Sequence, residues 1–323
     1  MDKKRPKKMS IGVAVITFKD IRHLDKCLPP LLNSPLRPKV LVFNSSSNDG
    51  TIELAKKMEA DTLVIPRIEM NHGSARELCR KKLGTDIVVM MTPDAYPKDK
   101  EMLSKLVKPI IDGKAAVSYA RQVAHPGANV IARLGRKFNF PEESNIRGIG
   151  DAKKYGVYTI FCSDSCAAYL NRALDDIGGF RWTLSGEDTI AVAMLLKKGY
   201  KVAYAADAVV EHSHNYSPAK EFVRHFDTGM YRKQWHQTLN LGKGGDQARG
   251  ASYAKYLLIN VLKEEPLMLP TAFFQLAFGW LGYQFGRLCY HRAPLWLYKK
   301  VSQADFFWNS TGYKEGKWFE PAK

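Results

Sequence analysis

Short apolar runs alternate with charged, amphipathic stretches through the first half of the chain. The apolar runs at 11–16, 39–43, 62–65 and 86–91 predict buried strands, and the stretches 22–32, 51–58, 74–82 and 97–111 predict the helices between and after them. Runs this apolar, without polar alternation, belong to strands covered on both faces. Their order therefore predicts βαβ units and a parallel sheet with helices on each side. A fifth strand is expected at 115–119. Residues 121–156 are rich in Gly, Pro, Asn and charge but show no periodicity, which predicts a long functional loop or lid. The α/β pattern resumes with 158–162, helices at 172–177 and 187–198, and a strand at 201–205. No internal repeat is apparent.

The pattern changes after about Ser217. Helices are expected at 221–236 and 252–262, and residues 266–286 then carry no charge and are dense in Phe, Leu, Trp and Tyr. That length approaches the ~20 residues needed to cross a bilayer. Pro266, Pro270, Gln275, Gln284 and the glycines within it make a poor spanning helix. Basic residues flank the segment (Lys263, Arg287, His291, Arg292) and aromatics follow it (Trp296, Tyr298, Phe306, Phe307, Trp308). An in-plane, membrane-surface segment fits that border; a helix buried against the first domain is the alternative. The expected organisation is a basic, disordered tail over 1–8, an α/β domain over 9–216, and a helical, membrane-associating region over 217–323.

Composition narrows the partners. The chain has 323 residues, 45% of them hydrophobic and 25% charged, so it is an ordinary globular protein. Its 49 basic and 32 acidic residues give a formal charge of +17, which favours nucleic acid, an anionic membrane surface or a phosphate-bearing substrate. No helix-turn-helix, RNA-recognition or zinc signature accompanies that charge, so no nucleic acid is expected as a partner. The five scattered cysteines form no CxxC pair, which speaks for a reducing compartment and against a zinc ribbon or disulfide framework.

Ligands of a parallel α/β sheet bind beyond the carboxyl ends of its strands, so the residues that follow each strand form one candidate site. Thr17, Phe18 and Lys19 follow the first strand. The run from Asn44 through Ser46 and Asp49 follows the second, and its short donors and acceptors suit a pyrimidine edge and ribose hydroxyls, or a simple capped turn. After the third come Asn71, His72, Gly73, Ser74 and Arg76. There Gly73 permits close backbone approach, Ser74 offers a helix cap, and Arg76 can reach a phosphate. Asp94 follows the fourth. A carboxylate at a buried strand end is costly unless paired or metal-bound, and Mg²⁺ or Mn²⁺ held against a diphosphate would meet that need. Glu187 and Asp188 open a helix, where the positive dipole end favours their ionised forms and keeps an Asp available as a base. His212 and His214 alternate at strand spacing, so both face one side, as metal ligands or as hydrogen-bonded structural histidines.

The order of these motifs, in the runs FNSSSNDGT, NHGSARELC, MMTPDAYP, CAAYLNRALDDIGGF, GEDTIAVAMLLKKGYKVAY and VVEHSHNYSPAKEFVRHFDTG, resembles the family-2 inverting glycosyltransferases. Within them it is most similar to bacterial rhamnosyltransferases of polysaccharide assembly. The resemblance covers roughly 11–231. It implies a GT-A fold, Rossmann-like, with a mostly parallel central sheet flanked by helices and an α-helical C-terminal extension. By position, Asp94 matches the last carboxylate of the family's metal-binding DxD, with Thr92 at its first position. His212 matches the metal-binding histidine, with His214 a second candidate. Asp188 matches the catalytic base, with Glu187 beside it. Thr17, Phe18, Asn44, Ser46, Asp49, Asn71, His72, Gly73, Arg76 and Asp94 are the expected donor contacts, and Cys166, Trp182 and Glu187 the expected acceptor contacts.

The implied reaction is transfer from a nucleotide-sugar, dTDP-β-L-rhamnose or alternatively a UDP-sugar, to a polyprenyl-diphosphate-linked saccharide. The implied location is the cytoplasm, on the cytoplasmic face of the inner membrane. A sugar-nucleotidyltransferase would need a Gly-rich basic loop where Thr17, Phe18, Lys19 and Asp20 stand.

Overall fold

A computed structural model describes residues 9–240 and 245–319; the basic tail expected at 1–8 lies outside them. Among the described residues nine strands form one sheet: β1 (Ile11–Thr17), β2 (Lys39–Asn44), β3 (Asp61–Val64), β4 (Ile87–Met91), β5 (Tyr96–Pro97), β6 (Val117–Val123), β7 (Asn145–Arg147), β8 (Cys166–Leu170) and β9 (Val202–Glu211). Their order is β3-β2-β1-β4-β8-β6-β9-β5, with β7 also on β9. Strands β3, β2, β1 and β4 run parallel, β8 runs antiparallel to both β4 and β6, and β6 is parallel to β9. Every residue of β1, β4 and β8 is buried, as strands with helices on both faces require. The chain lays β2 and β3 to one side of β1 and β4 to the other. The β1/β4 junction is thus a topological switch point, and the loops after β1, β2, β3 and β4 share one rim.

Two stretches fold differently from their sequence pattern. Residues 121–156 are no extended loop: they hold the helix Val130–Asn139, capped by Asn129 Oδ1 accepting from the Ala132 amide, and β7. The apolar face of this helix (Val130, Ile131, Leu134) packs on Leu257, Val261 and Ala272, far along the chain. Residues 158–162 form no strand. Gly156–Ile160 is a 3₁₀ helix, because the buried Arg147 guanidinium takes the carbonyls of Tyr158 and of Phe161 (2.9 Å) that a ladder would have used. The strand lies later, at β8.

After Ser217, which caps its helix with Pro218 in the first turn, come the helices Pro218–Gln234, Asp246–Glu264 and Leu269–Cys289. The last crosses the first through glycines. A Cβ on Gly282 would stand 2.2 Å from the Phe222 carbonyl oxygen, one on Gly286 2.0 Å from that of Phe226, and one on Gly229 2.2 Å from that of Tyr283. These glycines allow backbone to meet backbone. Gly286→Leu is expected to cost about 1–3 kcal/mol, read as a lower denaturant midpoint.

The opposite face of the same helix is bare: Phe273, Phe274, Trp280, Leu281 and Leu288 are all exposed, Trp280 by 61%. One face of this helix is thus packed against Pro218–Gln234, and the other presents apolar side chains to the surface. Among the described residues no helix is long and apolar enough to cross a membrane. The segment beyond 290 builds a second small core with Phe226 and Met230, around Tyr298, Phe307, Trp308 and Trp318.

Candidate active site

Asp94 lies in the turn that follows β4, and His212 follows β9, its amide donating to the Val123 carbonyl at 2.8 Å. His212 and His214, two residues apart in the segment that follows β9, both reach Asp94. Asp94 Oδ2 is 3.5 Å from His212 Nε2 and 3.4 Å from His214 Nε2, and the two nitrogens are 3.2 Å apart. Behind them, Gln122 Oε1 lies 2.8 Å from His212 Nδ1 and 2.5 Å from Arg136 Nη1. Arginine only donates, so that end of the amide is the oxygen, and His212 must donate to it from Nδ1. With its Nδ1 proton given to Gln122, the neutral imidazole of His212 has Nε2 as its acceptor nitrogen, on the side of Asp94.

Burial, then His212, lowers His214 to about 4 and keeps it neutral. Burial alone would raise Asp94, but the hydrogen bond and charge of His212 hold it well below the usual carboxylate range. A carboxylate oxygen and two imidazole nitrogens that converge fit a divalent metal ion: one ligand atom from each lies within 4.8 Å of the others.

The second half of the site is the start of the helix Glu187–Lys197. Gly186 precedes it at φ 75°, with a Cβ position 2.4 Å from the Tyr231 ring, so only glycine fits. Asp188 Oδ1 accepts from the Thr189 amide at 2.6 Å, and Oδ2 from the Asp164 amide at 3.3 Å. Burial, then the charge of Glu187, raises the Asp188 carboxyl above its ordinary range, and Arg76 opposes the rise. Arg76 is 4% exposed and fully committed, 2.6 Å from Asp164 Oδ2 and 2.6 Å from Glu187 Oε1. Tyr169 Oη donates to Asp164 Oδ1 at 2.6 Å, and burial pushes Asp164 up to about 7.

Several expected contacts are thereby relocated. Arg76 does not reach out to a phosphate; it pairs with the buried carboxylates of Asp164 and Glu187 beside Asp188 and offsets their charge. Glu187, locked on Arg76, is buried. Gly73 gives close approach to protein, not ligand, since a Cβ there would sit 1.8 Å from the Arg181 carbonyl oxygen. Asn71, not Ser74, caps the helix His72–Leu83: its Oδ1 accepts from the Ser74 amide and its Nδ2 donates to the Thr183 carbonyl at 2.7 Å. His72 is lowered to about 3, by burial first and then by Arg76, and stands edge-on to Phe306. Cys166 is 1% exposed within β8, beside the Met102 sulfur. Trp182 packs on Phe307 with ring centroids 4.5 Å apart.

On the β1–β2 side, a cleft of 640 Å³ is lined by Phe18, Lys19, Ile21, Arg22 and the run from Ser46 to Asp49. Asp49 accepts from the hydroxyls of Ser47 and Thr51, and these bonds hold it at about 2 against the effect of burial. Ser46, at φ 57°, donates to the Ile65 carbonyl. Asn44 and Thr17 lie beneath the cleft rather than on it: Asn44 donates to Thr17 Oγ1 and Ser47 Oγ, and Thr17 donates to the Phe43 carbonyl.

Arg67 was not foreseen. Its guanidinium lies between the Phe18 ring (3.7 Å) and the Phe306 ring (4.6 Å) and donates to Ser45 Oγ. Its place just past β3 was the available signal. Asp164, Gln122 and Arg136 carry no comparable signal in the sequence.

Residues 12–178 match the profile of the family described as Glycosyl transferase family 2. The chain is 34% identical over 284 residues to the O-antigen chain rhamnosyltransferase RfbN of Salmonella typhimurium, which covers 86% of this chain and 89% of that protein. It is 34% identical over 283 residues to the O-antigen chain rhamnosyltransferase WbaN of Salmonella anatum, with the same coverage of 86% and 89%. Among solved structures, the mannosyltransferase PcManGT of Pyrobaculum calidifontis, in complex with GDP-Man and Mn²⁺, aligns with a TM-score of 0.54 at 16% identity, over 97% of this chain and 89% of that one. Residues 1–349 of S. aureus TarS align with a TM-score of 0.51 at 14% identity, over 95% of this chain and 92% of that one. At those identities the likeness is one of fold, and it is the GT-A fold. With a matched profile over more than half its length and relatives that align along most of it, the chain belongs to glycosyl transferase family 2.

Proposed function

We propose that the chain transfers a rhamnosyl unit, with inversion, from dTDP-β-L-rhamnose to a hydroxyl of a lipid-linked saccharide in cell-surface polysaccharide synthesis. The observation that carries the sugar is the near full-length identity to two proteins named as O-antigen chain rhamnosyltransferases. The geometry supports the chemistry. The nucleotide lies in the cleft of Phe18, Ser46 and Asp49, with the Arg67 guanidinium at its edge. Asp188 takes the acceptor hydroxyl proton on a carboxylate oxygen as the hydroxyl oxygen bonds to the anomeric carbon and the diphosphate leaves from the opposite face. Asp94, His212 and His214 are the residues that hold a divalent ion, which when bound supplies charge neutralisation at the leaving diphosphate. Their mixed nitrogen and oxygen set suits Mn²⁺ better than Mg²⁺, which prefers oxygen ligands.

The formal charge of +17 and the bare apolar face of Leu269–Cys289 support a peripheral seat on the anionic cytoplasmic face of the inner membrane, where a polyprenyl-linked acceptor lies. A thermal-shift panel of nucleotide-sugars with and without Mn²⁺ or Mg²⁺ tests the donor. A ligand at 100 times its Kd stabilises by about 2.7 kcal/mol. The expected result is a Tm rise with dTDP-rhamnose plus Mn²⁺ and none with UDP-sugars; a UDP-sugar response instead would move the assignment to that donor.

A further inference from the structure

One buried amide joins the two halves of the site. Gln122 lies on β6 just past the register shift between Ala120 and Arg121, and is 2% exposed. Such an irregularity re-aims the side chains that follow it. The oxygen of Gln122 is already placed, toward Arg136 and His212 Nδ1. Its Nε2 therefore points the other way, and donates to Ser163 Oγ at 2.8 Å. Ser163 opens the short loop into β8. Ser165 of that loop takes the Thr92 amide at the end of β4 through its carbonyl (3.3 Å), and the Asp164 amide donates to Asp188 (3.3 Å). A continuous path thus runs from His212 through Gln122 and the 163–165 loop to Asp188, and the loop also touches the turn that carries Asp94.

We propose that Gln122 is a positioning residue serving both halves. Its oxygen holds His212 in the tautomer whose Nε2 is free to ligate, and its amide nitrogen seats the loop that orients Asp188. This rests on the assignment of Asp94, His212 and His214 as the metal site and Asp188 as the base. An apolar residue of the same length would leave Arg136, the His212 Nδ1–H and Ser163 without their shared partner. Partners of this kind behind metal-ligating histidines are commonly worth about 10–100-fold in metal affinity or activity.

Three variants of the full chain separate the two arms. Gln122→Met removes both, Gln122→Glu restores an acceptor for His212 and Arg136, and Ser163→Ala cuts only the loop arm. Mn²⁺ binding is measured calorimetrically on each. Turnover is measured with the nucleotide-sugar that stabilises the wild type. Gln122→Met is expected to lose about 10–100-fold in Mn²⁺ affinity, and Gln122→Glu to recover most of it. Ser163→Ala is expected to bind Mn²⁺ as the wild type does, while kcat falls several-fold at unchanged donor KM. Wild-type Mn²⁺ affinity in a folded Gln122→Met, or wild-type kcat in Ser163→Ala, overturns the proposal. Should Gln122→Met not fold, Ser163→Ala still decides the loop arm and Gln122→Glu the histidine arm, where weakened Mn²⁺ binding despite the retained acceptor counts against it. A wild type that binds no Mn²⁺ overturns the metal assignment and this inference together.

Discussion

Asp188→Asn is expected to lower kcat by about 10²–10⁴-fold, the usual worth of a positioned general base, while the protein stays folded. Asn fills the same space and still accepts from the Thr189 amide; it loses only the longer contact with the Asp164 amide. It also removes a negative charge that Glu187 repels, so little stability is at stake. Steady-state kinetics beside a thermal melt separates the two effects.

The same carboxyl sets a pH limb. Burial and Glu187 raise its pKa above the ordinary aspartate value of 3.8. The base is active when ionised, so kcat/KM should fall as pH drops through the raised value, at higher pH than an exposed aspartate would give. The proton is held more tightly folded than unfolded, so its contribution to stability is present below 3.8 and is lost as pH rises through the folded value. The base thus becomes available where the fold gives up that stabilisation. Near-normal turnover of a folded Asp188→Asn would remove Asp188 from its role.

Asp94→Asn should cost about 10²–10³-fold in kcat, the scale seen when one preorganised electrostatic contact to a developing charge is removed. The amide keeps the shape of the turn but withdraws the carboxylate charge from a set whose other two members are imidazoles. Chelation of the wild type should bring activity to the same level, and chelation of Asp94→Asn should add little, because both remove one unit of the machinery. Activity of the wild type that is indifferent to EDTA, or additive losses, would count against the metal role. The readout needs no acceptor identity: Mn²⁺-dependent stabilisation by the donor nucleotide should vanish in the variant.

What was legible in the sequence was whatever follows from local rules. Strands covered on both faces must be apolar throughout, so β1, β2, β4 and the first half of β9 stand out as runs. Residues two apart on a strand share a side, so His212 and His214 could be paired before any fold was known. Because ligands gather at strand ends, Asp94 and the run from Ser46 to Asp49 could be marked as well.

Only the tertiary structure decided the partners. The helix Val130–Asn139 shows its apolar face only once Leu257 and Val261 arrive to cover it. Arg76 reads as a free cation until Asp164 and Glu187 are folded against it, after which its charge is needed to offset buried carboxylates rather than a phosphate. Gly73 reads as a ligand approach until the Arg181 carbonyl occupies the space. Arg67 acquires its second aromatic wall from Phe306, and Gln122 its meaning from His212 and Ser163, both far from it along the chain. Periodicity reports how deeply a residue is buried and on which side. Which charge or hydrogen bond it meets there depends on where distant segments cross, and no local pattern carries that.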